Sequence, residues 1–248
     1  MIQIKSQREI ESMRKANTLT ALTHEYLAGL IQPGIMTKEL DEAAEEFIRS
    51  RGGLPAFKGY GGFPGTVCIS VNDEVVHGIP GTRKLIEGDI VSLDTGAIIE
   101  GYYGDAARTH GVGVIDEEAK LLIAATKESF FEGIKFARVG NRLSDISHAI
   151  QAYVETRGFS VVRDYVGHGI GRELHEDPQI PNYGPAGRGP RLQKGMVLAI
   201  EPMINEGRFT VRVLPNEWTV VTMDGKRSAH YENTIAITDG EPDILSMR

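Results

Sequence analysis

A chain of 248 residues can bury a sizeable core, as one large domain or two small ones. Its 41% apolar and 25% charged residues are ordinary for a soluble globular protein, and no apolar run approaches a membrane span. The net charge of -7 argues against a nucleic-acid-binding surface, and the single cysteine, Cys68, excludes an internal disulfide or a cysteine-rich zinc module.

The N-terminal "MIQIKSQREIESMRKAN" lacks the apolar core and cleavage site of a secretory signal, so the cytoplasm is the expected compartment. "REIESMRKANTLTALTHEYLAGL" has a helical pattern, and "GIMTKELDEAAEEFIRSRGG" from Gly34 reads as a second, amphipathic helix. Its closing glycine suits a C-terminal cap, where a positive φ is easiest without a Cβ. "LIEGDIVSLD" is then a short apolar strand after a glycine turn, ending on Asp94. "EGYYG" reads as a turn, so the runs on either side should form a hairpin that brings Asp94 beside Asp105.

The same order then recurs. "EEAKLLIAATKESFFEGIKFA" is again helical, and "GNRLSDISHAIQAYVETRGF" from Gly140 matches the segment from Gly34 at a constant offset. Gly34 aligns with Gly140, Leu40 with Ile146, Ala43 with Ala149, Phe47 with Tyr153 and Gly52 with Gly158. "LQKGMVLAIE" aligns with "LIEGDIVSLD", which sets Glu201 opposite Asp94. Ser92 and Ala199, two residues earlier on the same strand face, are small and leave room beside the acids. "EWTVVTMDGKRSAHYENTIAIT" reads as strand-turn-strand with Glu232 on its last strand, within reach of Glu201. The expected fold is α/β, with two related helix-plus-strand halves over residues 8–115 and 116–240 and acids at their seam.

Asp94, Asp105, Glu201 and Glu232 form a set of like charges that must share protons or hold cations. His168 in "YVGHGIGRELHEDP" is the remaining candidate ligand, and its neighbours Gly167 and Gly169 permit close backbone approach and unusual dihedrals. Four carboxylates and one imidazole balance two divalent ions and suit manganese, iron or cobalt, which makes a two-metal hydrolase site. Two readings compete with it. "DTG" at 94–96 has the local look of an aspartic protease, although the chain has no second copy. A non-enzymatic binding protein on the same fold is the other, although such a protein would typically have lost donors.

Several residues have plainer readings. The "GHGIG" run lacks the Lys-Ser/Thr ending of a phosphate-binding P-loop, and "HEDP" reads equally as the start of a turn. His24 and His148 fall in helical segments and read as surface residues, while His110 and His230 have no distinguishing spacing. Tyr60, Phe63 and Trp218, taken alone, read as core aromatics.

In order and spacing, "SVNDEVVHGIPG", "DIVSLDTGAIIEGYYGDAART", "YVGHGIGRELHEDP", "GMVLAIEPMI" and "HYENTIAIT" resemble the methionine aminopeptidases of the pita-bread metallohydrolase fold. The resemblance covers essentially the whole chain, and the lack of a long insert between Glu201 and Glu232 looks like the type I form. It implies one catalytic domain over residues 1–248, with pseudo-symmetric halves around a curved antiparallel sheet. The implied metal ligands are Asp94, Asp105, His168, Glu201 and Glu232. They would hold two divalent ions (cobalt, manganese or iron, with zinc and nickel also admitted) and a bridging hydroxide that attacks the first peptide carbonyl. Glu201 is implied as general base, His175 as oxyanion stabiliser and His77 as a contact to the substrate backbone. By the same resemblance Tyr60, Phe63, Cys68, His77 and Trp218 wall the methionine pocket.

The implied substrates are the N-termini of nascent polypeptides with a small second residue, met near the ribosome after deformylation. The implied enzyme is a cytoplasmic monomer with no nucleic-acid or membrane partner. Phe57, Leu174, Gly96 and Ala199 depart from common type I patterns, so the pocket and the hydrogen bonds beside the metals should differ in detail. Met1 precedes the bulky Ile2, so the chain is expected to keep its own methionine.

Overall fold

The computed structural model describes residues 1–248, and its helices start where short-range capping is available. α1 (Gln7–Ala28) opens on a capping box between Ser6 and Glu9. α2 (Thr37–Ser50) opens with the Met36 N–H donating to Glu39 at 2.7 Å and is left through Gly52, whose φ is 78°. The second half repeats these devices. α3 (Glu117–Ile134) is capped by Asp116. α4 (Leu143–Glu155) opens with the Arg142 N–H donating to Asp145 at 2.7 Å and is left through Gly158, with φ 82°.

The strands of the first half are β1 (Leu54–Pro55), β2 (Val67–Val71), β3 (Glu74–Val76), β4 (Ile90–Ile99) and β5 (Tyr102–Gly111). Those that follow α4 are β6 (Ser160–Val161), β7 (Gly167–Gly169), β8 (Glu176–Ile180), β9 (Val197–Ile200) and β10 (Met203–Asn205). The chain closes with β11 (Val211–Val213), β12 (Val220–Thr222), β13 (Ser228–His230), β14 (Glu232–Ala236) and β15 (Asp243–Ile244).

Nine strands form one antiparallel sheet in the order β1-β4-β5-β14-β9-β7-β8, with β2 added on β4 and β15 on β14. β4 and β5 are the expected hairpin. Its turn is tighter than "EGYYG" suggested: Glu100 and Gly101 alone make it, both with positive φ, and the two tyrosines already belong to β5. The two sets of strands meet where β14 pairs with β5, and β14 pairs with β9 on its other side.

The second strand-turn-strand segment forms its strands, with Glu232 on the last of them, but β12 and β13 do not pair with each other. β12 pairs with β11 and β3, whereas β13 pairs with β10. The Asn72–Asp73 turn of the first half comes between them: Asp73 O accepts from Thr222 N at 2.9 Å and Asn72 O from Ser228 N at 2.8 Å. Backbone groups that a local hairpin would have paired are satisfied by a distant turn instead.

Apolar side chains fill the space between helices and sheet. Leu27, Leu40, Val67 and Leu93 cluster in the first half, and Phe130, Ile146, Ile150 and Ile235 in the second. Each such side chain contributes about 1.5–3 kcal/mol on burial. His24 belongs to this buried layer and not to the surface. It is 5% exposed, its Nε2 lies 2.8 Å from Ala106 O, and burial pushes its pKa down to about 3. The sheet-facing side of α1 is partly polar, with Asn17, Thr20 and Thr23 buried as well, so polarity alone misplaces His24. His148 is exposed, as expected. No helix is long and apolar enough to cross a membrane.

Candidate active site

Five neighbouring strands carry the five candidate donors: Asp94 on β4, Asp105 on β5, Glu232 on β14, Glu201 just past β9, and His168 on β7. Register explains their convergence. Ala107 faces Asp94 on one side and Glu232 on the other, and Asn233 faces Ile200, which brings Glu201 level with Glu232. Asp105 shares the face of Ala107 by strand alternation. His168 faces Ala199, two residues before Glu201. The small Ala107 and Ala199 leave the space that the longer side chains fill, which supports the expectation made for Ala199.

Asp105, His168 and Glu232 each offer a ligand atom within 4.8 Å of the others. His168 Nε2 lies 3.8 Å from Asp105 Oδ2 and 3.5 Å from Glu201 Oε1. Asp94 and Glu201 stand at the two ends of the row formed by β4, β5, β14 and β9. No lysine or arginine side chain forms an ion pair with any of the four acids, and Asp94 Oδ1, Asp105 Oδ1 and Glu232 Oε1 are buried with no hydrogen-bond partner. Uncompensated, each such charge costs on the order of several kcal/mol.

The pKa directions follow. Burial raises Asp94 to about 8. Burial first, and then repulsion from Asp94, lifts Asp105 well above the usual range, and Glu201 and Glu232 are raised in the same way by burial and the neighbouring acids. His168 goes the other way, to about 4, chiefly through burial. Its Nδ1 lies 2.9 Å from Gly169 O, a pure acceptor, so Nδ1 carries the hydrogen and Nε2 turns a lone pair toward the acids. Orphaned oxygens, an aimed imidazole lone pair and excess negative charge fit divalent cations.

The glycines beside His168 have one function of the two expected. A Cβ on Gly167 would sit 2.4 Å from Ala199 O, and one on Gly169 would sit 2.1 Å from Asp177 O, so both allow strands to close up. Neither has a positive φ, and the run lies in β7 and β8's pairing, so it is no phosphate cradle. Gly96 is needed similarly: its Cβ would lie 2.4 Å from Gly104 O.

A cavity of about 190 Å³ opens above the donors and is lined by the whole predicted set. Phe63 and Trp218 meet edge to face at 5.2 Å, and Tyr60 stands at the rim, 39% exposed. Cys68 is buried, which raises its thiol pKa well above the ordinary value, so it is an apolar wall group. Phe57 and Leu174 also line the cavity, so two of the four departures noted in the sequence fall on its surface. His77 follows β3 with φ 59°, in the left-handed region that few non-glycine residues adopt. Burial lowers its pKa to about 4. His175, just before β8, accepts or donates at Nδ1 with the Tyr60 hydroxyl at 2.8 Å, and its ring meets His168 with centroids 4.3 Å apart.

One neighbour was not singled out by spacing. His230 is 1% exposed, and its Nε2 lies 3.7 Å from Glu201 Oε2 with no hydrogen-bond partner. Its place two residues before Glu232, on the same side of an extended chain, was the available signal. His110 does not reach the site and faces a separate groove with His24 and Arg108.

Helix pairs on an antiparallel sheet, with a buried carboxylate–imidazole centre where its halves meet, define a metallohydrolase of the pita-bread type. The chain belongs to metallopeptidase family M24, whose model matches residues 11–239, and within it to the methionine aminopeptidases. It is 57% identical over 248 residues to a methionine aminopeptidase of Clostridium acetobutylicum, covering 100% of this chain and 99% of the relative. It is 58% identical over 246 residues to methionine aminopeptidase 1 of Bacillus subtilis, covering 99% of each. The crystal structure of a methionine aminopeptidase from Thermotoga maritima superposes with a TM-score of 0.98 at 51% identity, covering 100% of both chains.

Proposed function

We propose that this chain removes the N-terminal methionine from nascent proteins whose second residue is small. It uses two divalent cations held by Asp94, Asp105, His168, Glu201 and Glu232. The observation that carries this reading is one chamber with two surfaces: a floor of buried, unpaired acids and a wall of apolar and aromatic side chains. Bound at that floor, the cations would supply Lewis acidity and water of lowered pKa. Manganese, iron and cobalt suit the oxygen-rich donors best, with zinc and nickel tolerated.

The chain's own residues do the rest. Glu201, flanked by His168 and His230, takes the proton of the attacking water and passes it to the leaving amine. His175 is held at Nδ1 by Tyr60, which leaves Nε2–H to donate to the carbonyl oxygen as charge develops there. His77 fixes the substrate backbone beside the scissile bond. Phe63, Trp218, Cys68 and Tyr60 enclose the methionine side chain, and each sulfur–aromatic contact adds about 0.3–1.5 kcal/mol. The free α-amine is received near Asp94, which restricts cleavage to the terminal residue and places the reaction after deformylation, close to the ribosome. Donors from residues 8–115 and 116–240 act together, so the two halves work as one catalytic domain of a cytoplasmic monomer.

Methionine release from Met-Ala-Ser is measured before chelation, after it, and after manganese or cobalt is restored. Loss and recovery of release are expected. Undiminished release from verified metal-free protein refutes the reading.

A further inference from the structure

Residues preceding α1 make a contact that the chemistry above does not use. Lys5 is 6% exposed, and its ammonium pairs with Glu176, whose side chain is 8% exposed. No other cation pairs with Glu176. The second carboxylate oxygen of Glu176 accepts from the backbone N–H of Arg172 at 3.0 Å and of Glu173 at 3.4 Å, closing the turn that ends at His175. Lys5 is fixed in turn by its own backbone, whose N–H donates to Gly195 O at 2.7 Å.

Two glycines make this crossing possible. A Cβ on Gly171 would meet Glu176 Oε1 and Lys5 Cε, both at 2.5 Å. A Cβ on Gly195 would meet Lys5 O at 2.6 Å. The segment therefore threads between the turn that carries His175 and the turn that leads into β9 and Glu201. Burying an ion pair is a poor source of stability, because apolar replacements of similar volume are often as stable or more so. What the pair supplies is a single geometry for the 171–176 turn.

We infer that Lys5 is a positioning residue for His175: through Glu176 it fixes the turn that aims the imidazole into the cavity. The inference rests on the reading of His175 as the group that meets the substrate carbonyl. A displacement of about 1 Å at such a group lowers turnover by up to ~10²-fold. Lys5 touches neither the cavity nor any metal donor, so cation content and substrate affinity should not change.

The test uses metal-loaded protein and Met-Ala-Ser, with Lys5→Met, His175→Ala, their combination, and Lys5→Met/Glu176→Met. The last variant replaces the pair by apolar groups and guards against simple unfolding. Lys5→Met should lower kcat by about ten- to a hundred-fold with KM and metal content held. Adding it to His175→Ala should lower kcat no further. Lys5→Met/Glu176→Met should melt near the wild type yet keep the kcat loss. Additive losses in the combined variant, or wild-type kcat in the folded apolar pair, would overturn the inference. An inert wild type would instead refute the proposed function.

Discussion

The floor and the wall of the chamber are built by different means. The floor takes its donors from five adjacent strands, where the spacing of every side chain is set by ladder register. The wall takes Tyr60 from a short turn, His77 from a left-handed residue after β3, His175 from the turn before β8 and Trp218 from the approach to β12. A lattice tolerates strain and holds charge; a set of turns holds each group by one or two contacts. The difference predicts that floor substitutions abolish cation binding, whereas wall substitutions leave it intact and cost graded amounts of turnover.

The sharpest way to break that contrast is at the seam. Glu232→Ala should release bound cation and lower kcat on the order of 10³-fold, read by metal analysis and Met-Ala-Ser hydrolysis. On the wall, His175→Ala should lower kcat about 10²-fold with metal content unchanged. Cation loss in that variant would erase the distinction.

Acid–base behaviour sharpens the same contrast without mutation. In metal-free protein Asp94 holds its proton to about pH 8, far above its unfolded value near 3.8. Between pH 6.5 and 8 the folded state therefore binds more protons than the unfolded state, and stability falls as pH rises, by about 2 kcal/mol for Asp94. At lower pH the buried histidines reverse the trend. His24 and His230 are held to about 3, and His77, His110 and His168 to about 4. Below about pH 6, once these five are charged in the unfolded chain, they outnumber the four raised carboxylates and stability falls as pH falls. Thermal melts of chelated protein should peak between these limbs, and cation loading should flatten the upper one. The smallest effect belongs to a single wall contact. Tyr60→Phe removes the bond to His175 and should cost about 1 kcal/mol, roughly five-fold in kcat, with thermal stability unchanged.

Much of the floor was legible because its rules are local. Asp94 and Glu201 stood at matched strand ends, and alternation with a tight turn placed Asp105 beside Asp94. The helix pairs were legible from capping and period. What escaped was set by pairing between distant segments. The Asn72–Asp73 turn lies between β12 and β13, a contact no local pattern announces. His24 looked polar on a helix whose buried side is itself partly polar, and His230 gained meaning only once Glu201 lay beside it. The roles expected of His77, His175 and the pocket wall came from family resemblance and not from pattern, because turns carry no period to read.

β14 has a consequence for the order in which the molecule can be assembled. It is the last donor-bearing strand in the chain, yet it lies between β5 and β9, so the other four donors are synthesised before the strand that unites them exists. Until Glu232 arrives, the two groups of strands have no shared hydrogen-bond ladder, and a pairing so distant in sequence is slow to form. The proposed cation centre is thus completed late in folding, when the last donor strand docks.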